Sequence, residues 1–108
     1  MTNYIFLKSG RNWIKFNIDE VIYIKSSGPY CQVVTIDKKE IVNIKIGNII
    51  SECGLDSNFI RIHKRYIINI KFLHEFNKST IFLGNYAVPI GKKYAEFIIN
   101  KFINFKST

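Results

Sequence analysis

The chain has 108 residues, the size of one ordinary domain, and we expect residues 1–108 to form a single domain with a substantial core. Hydrophobic residues make up 47% of the chain, yet no apolar run approaches the roughly 20 residues of a membrane span. The first residues also lack a signal-peptide pattern. We therefore expect a cytoplasmic protein that contacts no membrane. The net charge of +8 is distributed unevenly along the chain. Residues 1–56 hold seven Lys/Arg and six Asp/Glu, whereas residues 57–108 hold nine Lys/Arg and two Asp/Glu. This asymmetry favours a polyanionic partner.

The first part of the chain is predicted to form short strands around tight turns. "YIFLKSGRNWIKF" indicates two strands joined at "SG", and "VIYIKSSGPYCQVVTI" indicates two more around the breaker "SSGP". "EIVNI" returns as a strand after the turn "DKK". Strict alternation in "VIYIK" would place Val21, Tyr23 and Lys25 on one face of the sheet and Ile22 and Ile24 on the other.

Two segments change to helical periodicity. Between Lys45 and Cys53 the apolar residues fall three or four positions apart and Gly54 supplies a stop, which predicts one short central helix. "FLHEF", "STIFL" and "YAVPI" then indicate three more strands. From about Lys92 a C-terminal helix is predicted by an apolar stripe made of Tyr94, Phe97, Ile98, Phe102 and Phe105. The predicted fold is therefore mainly β, with one short central helix and a C-terminal helix.

The segment "FIRIHKRYIINI", residues 59–70, combines an apolar frame with four groups that are positive or can become so. In a strand, Arg61, His63 and Arg65 would share one face, and Lys64 breaks the alternation. The pattern predicts a tight polar turn at "HKR" that presents cations at the surface, to bind phosphate or a guanine edge. An ordinary solvated charged turn is the alternative.

Two other segments carry signals for anion binding. "VPIGKKYAEF" places Lys92 and Lys93 in the first turn of a helix, the end that already bears partial positive charge, and free amides with two Lys there form a corner for phosphate. "KSSGPYCQV" offers Ser27 in a small polar loop followed by Tyr30, which suits phosphate and sugar contacts. By itself the second segment is also an ordinary hairpin loop.

No catalytic, metal or cofactor site is predicted. Cys31 and Cys53 form no CxxC pair and are interpreted as reduced thiols in the core or at its rim. A basic nuclease built on His63, His74 and Glu75 is a weaker alternative, because an acid/base pair must converge on one phosphate.

Taken in order, these segments resemble the LytTR-type DNA-binding domain of bacterial response regulators. "FIRIHKRYIINI" is similar to that family's F-x-R-x-H-x-S-x-x-V-N hallmark, "DEVIYIKSSGPYCQVVTIDKKE" to its earlier hairpin, and "VPIGKKYAEF" to its closing P-[IV]-[SG]-R-x-Y segment. The resemblance covers about residues 4–103. It implies an elongated arrangement of small antiparallel sheets whose loops enter successive major grooves of double-stranded DNA and bend the duplex.

The resemblance also implies roles for individual residues. Ser27 and Tyr30 would lie at one groove, and the helix start at the next, with the "HKR" turn between them near the backbone and minor groove. His63 and Asn69 are expected to hold that turn. The implied DNA-contacting residues are Ser27, Tyr30, Lys64, Arg65, Lys78, Lys92 and Lys93.

The sequence departs from the family pattern at three of these positions. Lys64 stands where Arg or Asn is common, Arg65 where Ser is usual, and Lys92 where the family has Arg. Without an arginine at position 92, the closing segment cannot make the two-hydrogen-bond contact to guanine and contributes mainly positive charge. Sequence specificity is therefore expected to depend on DNA shape. The family's usual N-terminal receiver domain is also absent from the sequence, which fits either a stand-alone regulator or an excised domain.

Four functions are therefore compared: a sequence-specific regulator that binds promoter repeats in duplex DNA, a small RNA- or single-strand-binding β module, the nuclease, and a protein-interaction domain that has lost DNA binding. A receiver domain or sensor-linked partner supplied elsewhere is a candidate partner, and the chain is expected to be a monomer in solution. A single-strand binder should expose stacking aromatic side chains on a sheet face.

Overall fold

The structure is a computed structural model that describes residues 3–104. Its strands are β1 (Tyr4–Ser9), β2 (Asn12–Asn17), β3 (Val21–Ser27), β4 (Tyr30–Thr35), β5 (Lys39–Val42), β6 (Phe59–His63), β7 (Tyr66–Asn69), β8 (Leu73–Phe76), β9 (Thr80–Leu83) and β10 (Tyr86–Pro89). Its helices are α1 (Ile46–Cys53) and α2 (Lys92–Asn104), and 3₁₀ turns span Ile18–Glu20 and Ile70–Phe72. The prediction of a mainly β fold with one short central helix and a C-terminal helix is confirmed.

The strands form three small antiparallel sheets. The first is the β1–β2 hairpin, the second has the order β5-β4-β3-β7-β6, and the third has the order β10-β9-β8. The long range pairing of β3 with β7 joins the early hairpin to the segment that contains "HKR". The sequence shows the hairpins, but this non-sequential pairing decides which loops become neighbours.

Glycine residues set the turn at the end of the β3–β4 hairpin and the end of α1. Gly28 has a φ of +60° and is followed by Pro29, whose ring fixes a negative φ, a combination that fits a type II′ turn. Gly54 ends α1 in the left-handed conformation with a φ of 61°, as the sequence predicts. The first of these turns places Ser27 and Tyr30 side by side at a hairpin tip.

The central five-stranded sheet separates two hydrophobic cores. One core packs the third sheet and α2 against it, with Ile81 and Ile98 fully buried. The other packs the β1–β2 hairpin and α1 against it, with Phe16 and Ile49 buried. Because both faces are covered, the strands of this sheet read as nearly continuous apolar runs rather than as a clean alternation.

The predicted alternation along β3 is wrong. A bulge between Val21 and Tyr23 shifts the register against β4, so that Val21 and Ile24 join the core beneath the hairpin while Ile22 and Tyr23 join the core beneath α2. A bulge places two residues opposite one and thereby reverses the faces that follow it. With apolar side chains required on both faces, the sequence carries no signal for the position of this bulge.

The predicted stripe of α2 needs one correction. Tyr94, Ile98 and Phe102 pack on the core, but Phe97 is 67% exposed. At 100° per residue, Phe97 lies well around the helix from Ile98 and beyond the width of the buried face. Phe105 lies outside the described residues.

The two cysteines occupy the core and its rim, as interpreted from the sequence. Both are free thiols, Cys31 buried and Cys53 half-buried. Burial raises the pKa of the Cys31 thiol to about 11, an effect that the positive charge of Arg61 partly opposes. Burial and the neighbouring Glu52 carboxylate raise the pKa of Cys53 as well.

Within residues 3–104, none of the helices combines the length and the apolar character that crossing a membrane requires.

Candidate nucleic-acid interface

The turn between β6 and β7 is held by its own side chains. The Nδ1 atom of His63 accepts the backbone N–H of Arg65 at 2.9 Å. The guanidinium of Arg61 folds back over the turn, where Nε donates to the His63 carbonyl at 3.3 Å and a terminal nitrogen donates to the Lys64 carbonyl. These contacts leave Lys64 and Arg65 exposed at the tip of the hairpin.

Arg61 is the residue that sequence reasoning missed. The alternation placed it with His63 and Arg65 on a cationic face toward a partner, but its side chain is half-buried and spans the carbonyl side of the turn. Charged donors stabilise carbonyl groups about twice as strongly as neutral donors. Arg61 therefore positions the cations of the turn, and the available signal was an Arg placed between two buried isoleucines, Ile60 and Ile62, just before the turn.

The β3–β4 loop is joined to this turn by a reciprocal pair of hydrogen bonds. The backbone N–H of Ser26 donates to the Arg65 carbonyl at 2.9 Å, and the Arg65 guanidinium donates to the Ser26 carbonyl at 3.3 Å. Ser27 and Tyr30 then stand at the exposed tip of the loop, with Tyr30 44% exposed. The hydroxyls of the loop and the charge of the turn thus face solvent together.

The start of α2 is joined to the other side of the same turn. The Gly91 N–H donates to the Ile62 carbonyl at 2.8 Å, and the Gly91 carbonyl accepts the N–H groups of Tyr94 and Ala95. A Cβ at position 91 would lie 3.3 Å from the His63 Cα and 3.1 Å from a ring carbon of Tyr94, so only Gly fits without displacement. Gly91 in the sequence PIG therefore allows the start of α2 to lie close to the backbone of residues 62 and 63.

A surface cavity of about 450 Å³ lies at this junction, lined by His63, Lys64, Gly91, Lys92, Lys93 and Tyr94. Three of its lining side chains are lysines, and the cavity opens beside the first turn of α2, whose backbone amides carry partial positive charge. The charge of the lining and the helix start suit the cavity to an anionic group such as a phosphate.

The β8–β9 turn completes the same edge. The Ile90 N–H donates to the Ser79 carbonyl at 2.9 Å, which ties the turn to the residue just before Gly91. The Asn77 side-chain oxygen accepts the N–H groups of Ser79 and Thr80, both at 2.9 Å. This Asx-type turn leaves Lys78 exposed at its tip.

These bonds unite four chain segments, residues 26–30, 63–66, 77–79 and 90–93, which we call the basic edge. No Asp or Glu occurs in any of the four segments. The cations on it are Lys64, Arg65, Lys78, Lys92 and Lys93. Hydrogen bonds therefore connect the segments that carry all seven predicted contact residues, and the charged side chains of these segments are five cations without a carboxylate among them.

Asn69 does not lie in the turn that the resemblance assigned to it. It is 2% exposed at the opposite end of β7, where its Nδ2 donates to the Val21 carbonyl at 2.9 Å and its Oδ1 accepts the Lys71 N–H at 3.0 Å. Val21 marks the bulge of β3, so Asn69 ties that bulge to the 3₁₀ turn after β7. Its side chain supports the central sheet rather than the basic edge.

The histidines occupy separate hairpins. His74 places Nε2 at 3.0 Å from the Gly84 carbonyl, whereas His63 is bonded within its own turn. Each imidazole thus has a structural partner, which argues against the nuclease arrangement predicted as an alternative.

Comparisons with known proteins agree with this geometry. A family profile for the LytTr DNA-binding domain matches residues 11–102, and the chain belongs to that family, which is non-catalytic. A solved structure from Bacillus cereus, described as the LytTr DNA-binding domain of a methyl-accepting/DNA response regulator, is similar to this chain with 19% identity and a TM-score of 0.77. The similarity covers 94% of this chain and 98% of that one, and it shows that the two share a fold. No curated protein matches the chain.

Proposed function

We propose that this chain is a sequence-specific, double-stranded DNA-binding domain of a bacterial transcription regulator, acting in the cytoplasm as one unit of residues 1–108. The observation that carries the proposal is the basic edge, in which backbone hydrogen bonds hold four loop segments with five cations and no carboxylate. Rigid placement of these cations matters, because a duplex presents its phosphates in a fixed geometry and ordering flexible loops on binding would cost affinity.

In this proposal the loops at the hairpin tips and at the start of α2 enter the grooves of the duplex, and no recognition helix is used. Ser27 and Tyr30 enter one major groove, while Lys92 and Lys93 enter the next. Lys64 and Arg65 lie between them and contact the backbone near the minor groove, and Lys78 contacts phosphate in the same way. A bend of the duplex toward the protein would bring more of its backbone against the basic edge.

The lysine at position 92 shapes the expected specificity. A lysine ammonium is a single mobile charge and cannot make the forked contact by which an arginine recognises guanine. Discrimination then falls on Tyr30, on the single hydrogen bond that Lys92 can donate to a base edge and on the bend of the duplex. The exposure of Tyr30 at the hairpin tip supports this assignment.

A receiver domain or a sensor-linked protein would supply dimerisation and the activating signal, and the chain alone would be a monomer that occupies promoter repeats cooperatively. The isologous pairing of such a partner would set the spacing of the half-sites.

Selection from random duplex DNA at near-physiological salt tests the proposal. We expect an enriched motif, with a repeat spaced by about one helical turn, or 10–10.5 base pairs. Binding that occurs at low salt but yields no enriched motif would contradict sequence-specific recognition and leave a binder driven by charge alone. Absence of any salt-sensitive binding would favour a protein-interaction domain.

Variants of the selected complex then separate base reading from phosphate contact. Tyr30→Ala and Lys92→Ala should relax the preference for the selected motif by about 1 kcal/mol or more. Lys64→Ala and Arg65→Ala should weaken binding to every duplex by a similar factor. An equal loss on all duplexes for Tyr30→Ala would show that Tyr30 does not read bases.

A further inference from the structure

The outer face of the β1–β2 hairpin exposes aromatic rings, and none of its residues belongs to the basic edge. Tyr4, Phe6 and Trp13 are 44%, 52% and 64% exposed. They alternate with residues of the opposite face, where Leu7 and Phe16 are buried in the core. We call the surface made by Tyr4, Phe6, Lys8, Trp13 and Lys15 the ribbon face.

Cations lie between these rings. The register pairs Phe6 with Lys15 and Lys8 with Trp13 across the two strands. The Lys15 ammonium lies 4.5 Å from the centre of the Tyr4 ring, and the Lys8 ammonium lies 6.0 Å from the Trp13 ring. Each lysine of the ribbon face thus stands across the hairpin from an aromatic ring, a pattern that solubility alone does not require.

The charge of the hairpin is entirely positive. Residues 3–17 include Lys8, Arg11 and Lys15 but no Asp or Glu. The carboxylate of Asp19, which follows, is engaged by the side-chain amide of Asn3 at 3.2 Å. An anionic partner is therefore complementary to the ribbon face.

Beside the ribbon face lies a cavity of about 310 Å³ between the hairpin and α1. It is lined by Phe6, Leu7, Lys8, Trp13, Asn43, Ile44, Glu52 and Cys53. The lining includes two aromatic rings, and the carboxylate of Glu52 and the amide of Asn43 supply acceptors and a donor. A planar group that stacks on a ring and presents amino groups at its edge fits this lining.

We propose that the ribbon face binds a single-stranded nucleic acid, as a second surface separate from the basic edge. A base stacks on Trp13 or Phe6 and directs its edge toward Asn43 and Glu52, while Lys8, Lys15 and Arg11 contact the flanking phosphates. Exposed rings on a sheet with interleaved cations are the means by which proteins bind unpaired strands with little sequence preference.

An acidic protein segment is the competing occupant, and the cavity argues against it. A carboxylate entering beside Trp13 would meet the like charge of Glu52, whereas a base meets a hydrogen-bond acceptor there. A duplex is excluded as the stacking ligand because its bases are paired and stacked on one another. The inference does not depend on the function of the basic edge, since the residues of the two surfaces differ.

Titration of the full chain with oligo(dT) and oligo(U) of about 12 nucleotides at 100 mM salt tests the proposal. Trp13 is the sole tryptophan, so its fluorescence reports directly on the ribbon face. We expect saturable quenching by both strands. Tighter binding of oligo(U) would identify RNA as the preferred ligand of the ribbon face. Equal or tighter binding of oligo(dT) would identify an unpaired DNA strand as that ligand. Lack of quenching by either strand would overturn the proposal.

Variants measured by anisotropy of a labelled strand locate the site. Phe6→Ala and Trp13→Ala should each weaken binding by about 5- to 150-fold, the range found when a base loses its stacking partner. Trp13→Tyr, which keeps a ring, should restore most of the affinity. The matched control is Phe97→Ala, an exposed aromatic of α2, which should leave binding unchanged.

Two further arms can overturn the assignment. Lys92→Ala should weaken duplex binding and leave the single-strand affinity unchanged. Loss of single-strand binding in that variant would place the strand on the basic edge. Quenching of Trp13 by poly-glutamate that is as strong as quenching by oligo(dT) at equal charge would assign the ribbon face to acidic proteins instead. Circular dichroism and the melting temperature of each variant confirm that it is folded.

Discussion

Replacement of Lys64 by Ala removes one of the five cations of the basic edge without touching a hydrogen bond that holds the turn. The contacts that fix the turn come from Arg61, His63 and the backbone of residue 65, and the Lys64 carbonyl that accepts from Arg61 is retained in the variant. The change therefore isolates one charge. Its consequence should appear in how duplex binding responds to salt.

The magnitude follows from the number of cations. If each of the five contacts one phosphate, log Kd rises with log salt with a slope of about 4.5, because each neutralised phosphate contributes about 0.9 through released counterions. Raising the salt from about 50 mM to 200 mM then weakens the native complex by about 500-fold. With four cations the slope becomes about 3.6 and the loss about 150-fold.

Fluorescence anisotropy with a selected duplex at several salt concentrations gives these slopes. The matched control is Lys71→Ala, because Lys71 is an exposed lysine in the 3₁₀ turn at the far end of β7. We expect the control to keep the native slope. If Lys71→Ala lowers the slope as much as Lys64→Ala does, the duplex responds to net charge and the basic edge is not its binding surface.

Three substitutions and one labelling reaction test the structural roles. Arg61→Gln should weaken duplex binding about tenfold while the protein stays folded, because the turn loses charged hydrogen bonds worth about 1.5–3 kcal/mol each; native affinity by anisotropy would contradict this. Asn69→Ala should lower the free energy of unfolding in urea by about 1–3 kcal/mol and leave the salt slope unchanged, and a loss below about 0.5 kcal/mol would refute its role at the bulge. Gly91→Ala should weaken binding with an unchanged slope, since the added Cβ displaces the turn; equal affinity would show that the junction relaxes without cost. Cys31 should react with iodoacetamide at pH 8 only as fast as the protein unfolds, while Cys53 reacts sooner, as followed by mass spectrometry; fast labelling of Cys31 would contradict its burial.

The same cysteine gives a signed dependence of stability on pH. The folded pKa of Cys31, about 11, lies above its ordinary value of 9.0, so its contribution to stability is complete below pH 9 and is lost as the pH rises to about 11. A Cys31→Ala variant should show a flatter decline of stability across that window.

The elements themselves could be predicted from the sequence because each has a local cause. Tight turns follow from glycine-containing pairs such as the one at Gly84, and α1 follows from apolar spacing closed by Gly54. Composition also indicated the segments around Lys64 and Lys92, because cations beside apolar runs stand out, whereas the assignment of Lys78 came only from the resemblance to the LytTR family. Local signals of this kind depend on neighbouring residues alone.

What could not be predicted depends on contacts distant in sequence. The bulge at Val21 and the position of Asn69 are set by the pairing of β3 with β4 and by the packing of β7 beside it, which the alternation of residues does not reveal. The hydrogen bonds of the Arg61 side chain were also not predictable, because its acceptors, the carbonyls of His63 and Lys64, come within reach only when the turn has formed. Exposure of Phe97 reflects the limited width of the core beneath α2.

Mapping of amide chemical shifts tests the central claim most directly. The ¹⁵N-labelled chain is titrated with the selected duplex, and the shifted amides are assigned to the structure. We expect the largest changes in residues 26–30, 63–66, 77–79 and 90–93, with little change on the ribbon face. Changes centred on the ribbon face or on the exposed side of α2, with the four segments unmoved, would contradict the assignment of DNA binding to the basic edge.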